Sequence, residues 1–179
     1  MSAPALRPDG SLGDATAART LLLDAIRAMR STYRVVPFFV ERDVVWTVQR
    51  WLLDEVARLG LPFDVRTEHA MEPGPRRALA ADLAVLNRGG AVIAAVEFKY
   101  EPSHRRGDIP KTKFPVVEWA AVVSDFDRVR RWSAEGRCVV GLALFIDEGG
   151  HFRHREAPPC SAWHDWSESG VAVLATDFD

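Results

Sequence analysis

Cysteine is scarce in this chain of 179 residues. The two present, Cys138 and Cys160, cannot build a disulfide framework, and they lack the CxxC spacing of a zinc site. A reducing, cytoplasmic setting is therefore expected. No apolar run approaches the ~20 residues of a membrane span. The opening stretch MSAPALRPDGSLGDA has no apolar signal core. Net charge is also small, −2, which excludes a uniformly basic nucleic-acid binder but leaves room for a local basic patch. Walker loops, GxGxxG and GxSxG motifs are absent, so nothing points to an NTPase, a dehydrogenase or a serine hydrolase. Lysine is the other scarcity. Of 23 basic residues only Lys99, Lys111 and Lys113 are lysines. Where arginine serves for generic positive charge, a lysine draws attention to chemistry arginine cannot perform.

What is present is an ordinary globular balance, 47% hydrophobic and 27% charged, enough for one domain with a sizeable core. Residues 1–13 carry Pro4, Pro8, Gly10 and Gly13 and are expected to form a mobile tail, with a single domain over 14–179. Asp14 or Thr16 can cap a first helix through Leu21, Leu22, Ala25, Ile26 and Met29. Pro37 suits the start of a second, from about Phe38 to Leu59, stopped by Gly60 and Pro62. The period then changes to two: Phe63, Val65 and Thr67 alternate with polar residues and predict a strand, followed by a loop over Met71–Arg77. Ala81–Asn87, the turn Arg88-Gly89-Gly90 and Ala91–Tyr100 predict a β-hairpin. A polar loop over Glu101–Pro115 leads to a helix capped by Ser124-Asp125 and carrying Phe126, Val129 and Trp132. Cys138–Ile146 has the near-continuous apolar character of a buried central strand. His151–Arg155 is expected as a short edge strand, and Gly170–Thr176 as the last. The fold class expected is α/β (α+β), a mixed sheet flanked by helices, with core order α-β-β-β-α-β.

The chemistry concentrates in the hairpin. Side chains alternate faces along a strand, so Glu97 and Lys99 share a face, with Ala91, Ile93 and Ala95. A two-residue Gly89-Gly90 turn pairs Arg88 with Ala91 and sets Asp82 directly opposite Glu97. Two carboxylates ~5 Å apart at Cβ repel unless a cation lies between them. A hard divalent ion, Mg²⁺ or Mn²⁺, suits oxygen ligands of this kind. The plain alternative is a surface ion pair of Asp82 with Lys99. It sits poorly with a hairpin that is apolar through Leu83, Val85, Leu86, Val92 and Val96. On the second helix, Val45, Val48, Leu52, Val56 and Leu59 form a core-facing stripe, and one turn before Val45 stands Glu41.

Glu41 on a helix, Asp82 early on a strand and Glu97-Phe98-Lys99 on the next together resemble the PD-(D/E)XK nuclease superfamily, which includes restriction-endonuclease-like enzymes and Holliday-junction resolvases. The resemblance spans about Phe38 to Ile146. It departs from the family pattern at Ala81, where a proline is usual, although many members lack that proline. It implies a restriction-endonuclease-like fold and hydrolysis of nucleic-acid phosphodiesters, with DNA the expected substrate and Mg²⁺ (or Mn²⁺) the cofactor. Asp82, Glu97 and the Phe98 carbonyl would be metal ligands, Glu41 would complete the shell, and Lys99 would act on the water or the transition state. Arg105, Arg106, Lys111 and Lys113, in the loop after the catalytic strand, are candidates for phosphate contacts. Two-strand cleavage would call for a homodimer or a partner protein. The competing expectation is a catalytically inactive module of the same fold that binds nucleic acid or protein. The six tryptophans are expected as core or interface anchors, and Trp163-His164-Asp165-Trp166 as a dimer contact.

Overall fold

A computed structural model describes residues 12–73, 79–109, 114–166 and 170–176. The expected α/β class holds: three helices flank a mixed six-stranded sheet. The elements are α1 (Leu12–Thr32), α2 (Glu41–Leu59), β1 (Phe63–Glu72), β2 (Leu79–Asn87), β3 (Val92–Glu101), α3 (Trp119–Ala134), β4 (Val140–Asp147), β5 (Ser161–Trp166) and β6 (Val171–Thr176). Their order in the sheet is β1-β2-β3-β4-β6-β5. Only β3 and β4 run parallel, and α3 makes the crossover between them. The apolar sides of α1 and α2 close one core over Leu83, Val96, Phe98 and Leu144. Those of α3 close a second core, on the other face, over Ala95, Ala143, Phe145 and Leu174.

Several boundaries differ from expectation for identifiable reasons. Of the tail expected over 1–13, Leu12 and Gly13 belong to α1 and the rest lies outside the described residues. α2 begins at Glu41 rather than near Phe38. The Asp43 carboxylate accepts the Phe39 and Val40 amides at 2.7 and 3.0 Å, while Phe38 is a buried anchor stacked on Tyr33. β1 continues through Met71 and Glu72, which were expected in a loop; residues 74–77 of that loop lie outside the described residues. α3 starts at Trp119, not at the Ser124-Asp125 cap. Trp119 stacks on Phe152 and Trp163, and this packing outweighs the local capping signal. His151–Arg155 is not a strand, because the Asp147 carboxylate takes the His151 and Phe152 amides that a ladder would need. The edge strand is β5 instead. Its Trp163 and Trp166 pack into opposite cores rather than standing as one outward contact.

The hairpin turn also differs, with a compensating result. The connection is longer than two residues: Gly90 donates to the Asn87 carbonyl, and Asn87 and Ala91 close the loop. The register shifts between Val85 and Leu86, a β-bulge irregularity. Beyond it Leu83 faces Val96, the pair that the two-residue turn also implied, and the ladder ends there, one step before Asp82 and Glu97. The price of the bulge is parity. Ile93 joins the α1–α2 core, not the face of Glu97, and Val92 packs on the α3 side.

Candidate active site

The site forms where β2 and β3 stop pairing through their backbones. Their ladder runs from Leu86 opposite Val92 to Leu83 opposite Val96. One step further, the Phe98 amide donates to the Asp82 carboxylate at 2.7 Å, so a side chain replaces a β2 carbonyl as acceptor. Asp82 is thereby fixed beside β3. Across the other edge of β2, Thr67 pairs with Leu83 and His69 with Ala81, which sets Glu68 beside Asp82. Glu68 has a φ of 50°, a left-handed conformation uncommon for a residue with a Cβ.

Lys99 joins the two helical layers. Its ammonium lies 3.0 Å from the Glu41 carboxylate and 2.9 Å from that of Asp125, and it donates to the Phe98 carbonyl at 3.2 Å. Glu41 comes from α2, on one face of the sheet, and Asp125 from α3, on the other. Glu41 therefore reaches the cluster from the end of its helix rather than by sharing a face with Glu97. Asp82, the partner in the plain ion-pair alternative, is not in contact with the ammonium; Glu41 and Asp125 hold it.

Glu97 points to α3. Arg128 donates to it at 3.0 Å and pairs with Asp125, also at 3.0 Å. The Arg128 guanidinium further lies 5.9 Å from the centre of the Trp132 ring. Five carboxylates, Glu41, Glu68, Asp82, Glu97 and Asp125, thus crowd two cations, Lys99 and Arg128.

The crowding shows in the acid–base properties. Glu97, 2% exposed, has its pKa pushed up to about 8, first by burial and then by the Asp82 charge, against the pull of Arg128. Asp82 is raised by burial, opposed by the Phe98 amide and Lys99. Glu41 is raised by burial, opposed by Lys99. For Lys99 burial works against the charge, yet Asp125 and Glu41 outweigh it and hold the ammonium well above its ordinary pKa. At neutral pH it is a firmly protonated donor.

Asp125 and Arg128 are the residues that the sequence reading left outside the site. A usable signal existed. Val122, Asp125, Val129 and Trp132 follow the 3-4-3 spacing of a buried helical stripe, so an acid stands where an apolar residue is expected. Reading Asp125 as a cap hid that position. The basic loop behaves unevenly. The Arg106 guanidinium is held by Asp108 at 2.6 Å and by the Phe38 carbonyl at 2.6 Å, with Glu148 beside it. Arg105 is exposed; its amide donates to the Ser103 hydroxyl at 3.3 Å, and its guanidinium meets no acid among the described residues. Lys111 and Lys113 lie outside the described residues.

No family model, curated protein or solved structure matches the chain. Its function rests on these residues. Among the described residues no three His, Cys, Asp or Glu side chains gather as a ready metal cage. The reason is visible in the partners: Asp82 is turned to the Phe98 amide and Glu97 to Arg128. The donor chemistry nonetheless fits a hard divalent cation, since the half-buried Asp82 carboxylate raises the pKa of the buried Glu97 beside a backbone carbonyl. No described helix is long and apolar enough to cross a membrane.

Proposed function

We propose that this chain is a metal-dependent nuclease of PD-(D/E)XK type with a restriction-endonuclease-like fold, hydrolysing phosphodiester bonds of nucleic acid, with DNA the expected substrate. The observation that carries this reading is the Lys99 ammonium clamped between Glu41 and Asp125, beside the two acids Asp82 and Glu97. The α2-β1-β2-β3-α3-β4 order supports it. Asp82, Glu97 and the Phe98 carbonyl would hold Mg²⁺ or Mn²⁺, and Glu41 lies close enough to Lys99 to share that shell. Such an ion, when bound, polarises the phosphate and lowers the pKa of a coordinated water.

The chain's own groups have distinct tasks. Lys99 cannot serve as a base while two carboxylates hold its proton in place; it donates to charge that develops on the phosphate oxygens. Glu41 and Asp125 aim it. Arg128 contacts Glu97 and pairs with Asp125, and to hold a metal Glu97 would have to release its proton and its guanidinium partner.

The test is incubation of single- and double-stranded DNA and RNA with Mg²⁺, Mn²⁺ or EDTA. Wild type should cleave only with the metal. Lys99→Ala should keep metal binding and lose about 10²–10³ in rate. Asp82→Asn should lose both. Cleavage that survives EDTA, or that Lys99→Ala leaves intact, overturns the proposal. A second reading, a non-catalytic module of the same fold, is favoured by the Arg128 clasp, which already neutralises Glu97 and Asp125. Nucleic-acid binding without cleavage under every metal condition selects it.

A further inference from the structure

The outer face of α2 carries an arrangement that the proposed chemistry does not use. Trp46 is 62% exposed, where core or interface packing was expected of the tryptophans. One turn before it stands Arg42 and one turn after it Arg50, both exposed, so the three form a single stripe about 12 Å long. Neither arginine meets an acid among the described residues. Several other surface arginines do, among them Arg27 with Asp24, Arg58 with Glu55 and Arg66 with Asp64, while the exposed Arg34, Arg88, Arg105 and Arg155 are scattered singly and none of them flanks an exposed tryptophan one turn away. The acids on either side of Arg42 are committed elsewhere, Glu41 to Lys99 and Asp43 to the Phe39 and Val40 amides, and Asp54, one turn after Arg50, makes no ion pair with it. The stripe also begins beside Glu41, the first residue of α2, which touches Lys99. Just before it, Phe39 is partly exposed under the Arg106 guanidinium.

A flat indole bracketed by two uncompensated guanidinium groups is suited to a base stacked between two backbone phosphates. A duplex hides its base faces, so only an unpaired strand can use the ring. We infer that the Arg42–Trp46–Arg50 face of α2 binds single-stranded nucleic acid and leads that strand to the Glu41 end of the candidate site. The inference rests on the nuclease reading for where the strand goes, but not for whether the strand binds.

Binding is measured in EDTA, where no metal-dependent cleavage can occur, by fluorescence anisotropy with labelled oligo-dT, oligo-U and a blunt duplex of equal length. Wild type should prefer a single strand to the duplex; the dT and U arms tell which sugar is favoured, and either bears the inference out. Trp46→Ala should weaken strand binding by roughly tenfold or more, and Trp46→Phe should restore most of it. Arg42→Ala and Arg50→Ala should each lower the slope of log affinity against log salt by about 0.7. Equal affinity of Trp46→Ala and wild type for every strand overturns the inference, as does binding of the duplex alone. So does a sedimentation shift to a dimer that Trp46→Ala abolishes without changing oligonucleotide affinity, for the face would then be covered by a second copy. Strand binding through Trp46 without cleavage sinks the nuclease reading alone. Metal-dependent cleavage that loses Lys99 but ignores Trp46 in both rate and binding sinks this inference alone.

Discussion

Glu97 and Glu101 stand four residues apart on β3, on the same face, 2% and 0% exposed. Their partners differ in kind. Glu101 accepts the Val116 and Val117 amides at 2.9 and 2.8 Å, so it pins the approach to α3 with groups that cannot leave. Glu97 is held by the side chain of Arg128, which can swing away. Burial raises the pKa of both. For Glu101 the Val117 and Val116 amides oppose the rise; for Glu97 the Asp82 charge adds to it. One buried acid is satisfied by the backbone and does structural work. The other is left in a crowd of like charges, the arrangement expected of a group kept for a cation. Asp147, one strand over and bound to the His151 and Phe152 amides, belongs with Glu101.

Four measurements can break or sharpen that contrast. The largest effect is expected from Glu101→Ala, which leaves the part-buried Val116 and Val117 amides without their acceptor at ~1–3 kcal/mol each and should lower the melting temperature. Glu97→Gln keeps the shape, removes the repulsion with Asp82 and should cost far less. Equal losses in the two would erase the distinction.

The next effect is a pH dependence. Glu97 is raised in the folded state from 4.5 to about 8, so between those values the folded chain binds more protons than the unfolded one. Its contribution to stability is therefore full at low pH and is lost as pH rises toward 8, with a slope of at most about 1.4 kcal/mol per pH unit. Denaturant titrations from pH 5 to 8 should show wild type losing stability along a steeper course than Glu97→Gln. Superimposable courses would mean that Glu97 ionises as it does in water.

A third, smaller effect concerns metal. Mg²⁺ or Mn²⁺ at ten times its dissociation constant should stabilise wild type by about 1.4 kcal/mol, an increment missing from Glu97→Gln and Asp82→Asn but kept in Glu101→Gln if that variant folds. Affinity for the ion should grow as pH rises toward 8, because binding must displace the Glu97 proton. A shift that persists in Glu97→Gln would place the ion elsewhere. The smallest effect is expected of Arg105→Ala, which should lower the salt slope of nucleic-acid binding by about 0.7 to 0.9 and leave the melting temperature unchanged.

Much of the site was legible because strands and helices repeat over short distances. The alternation in β3 put Glu97 and Lys99 on one face, and the apolar stripe of α2 pointed to Glu41. The register from Leu83 opposite Val96 to Val85 opposite Ala94 came out as expected through an error in the turn that the β-bulge offset, but the backbone pairing ends there, one step short of Asp82 and Glu97. The face assigned to Ile93 was lost to the same bulge, which depends on how the loop packs and not on residue type. Asp125 was hidden because Ser-Asp is a genuine capping signal, outweighed here by Trp119 stacking on Phe152 and Trp163.

The sequence by itself determined the types of the elements from α1 to β4 and of β6, though not the edge strand β5, together with the shared face of Glu97 and Lys99 and a lysine where this chain would otherwise use arginine. These follow from backbone periodicity and composition, which act between near neighbours. Tertiary structure alone decided which acid meets which base. Lys99 bridges Glu41 and Asp125 because two helices packed on opposite faces of the sheet converge where β2 leaves β3. Glu97 and Glu101 take different roles because α3 brings a guanidinium to one and the loop before α3 brings amides to the other. Those partners are separated by tens of residues along the chain, so only the closing of loops and the packing of layers brings them together.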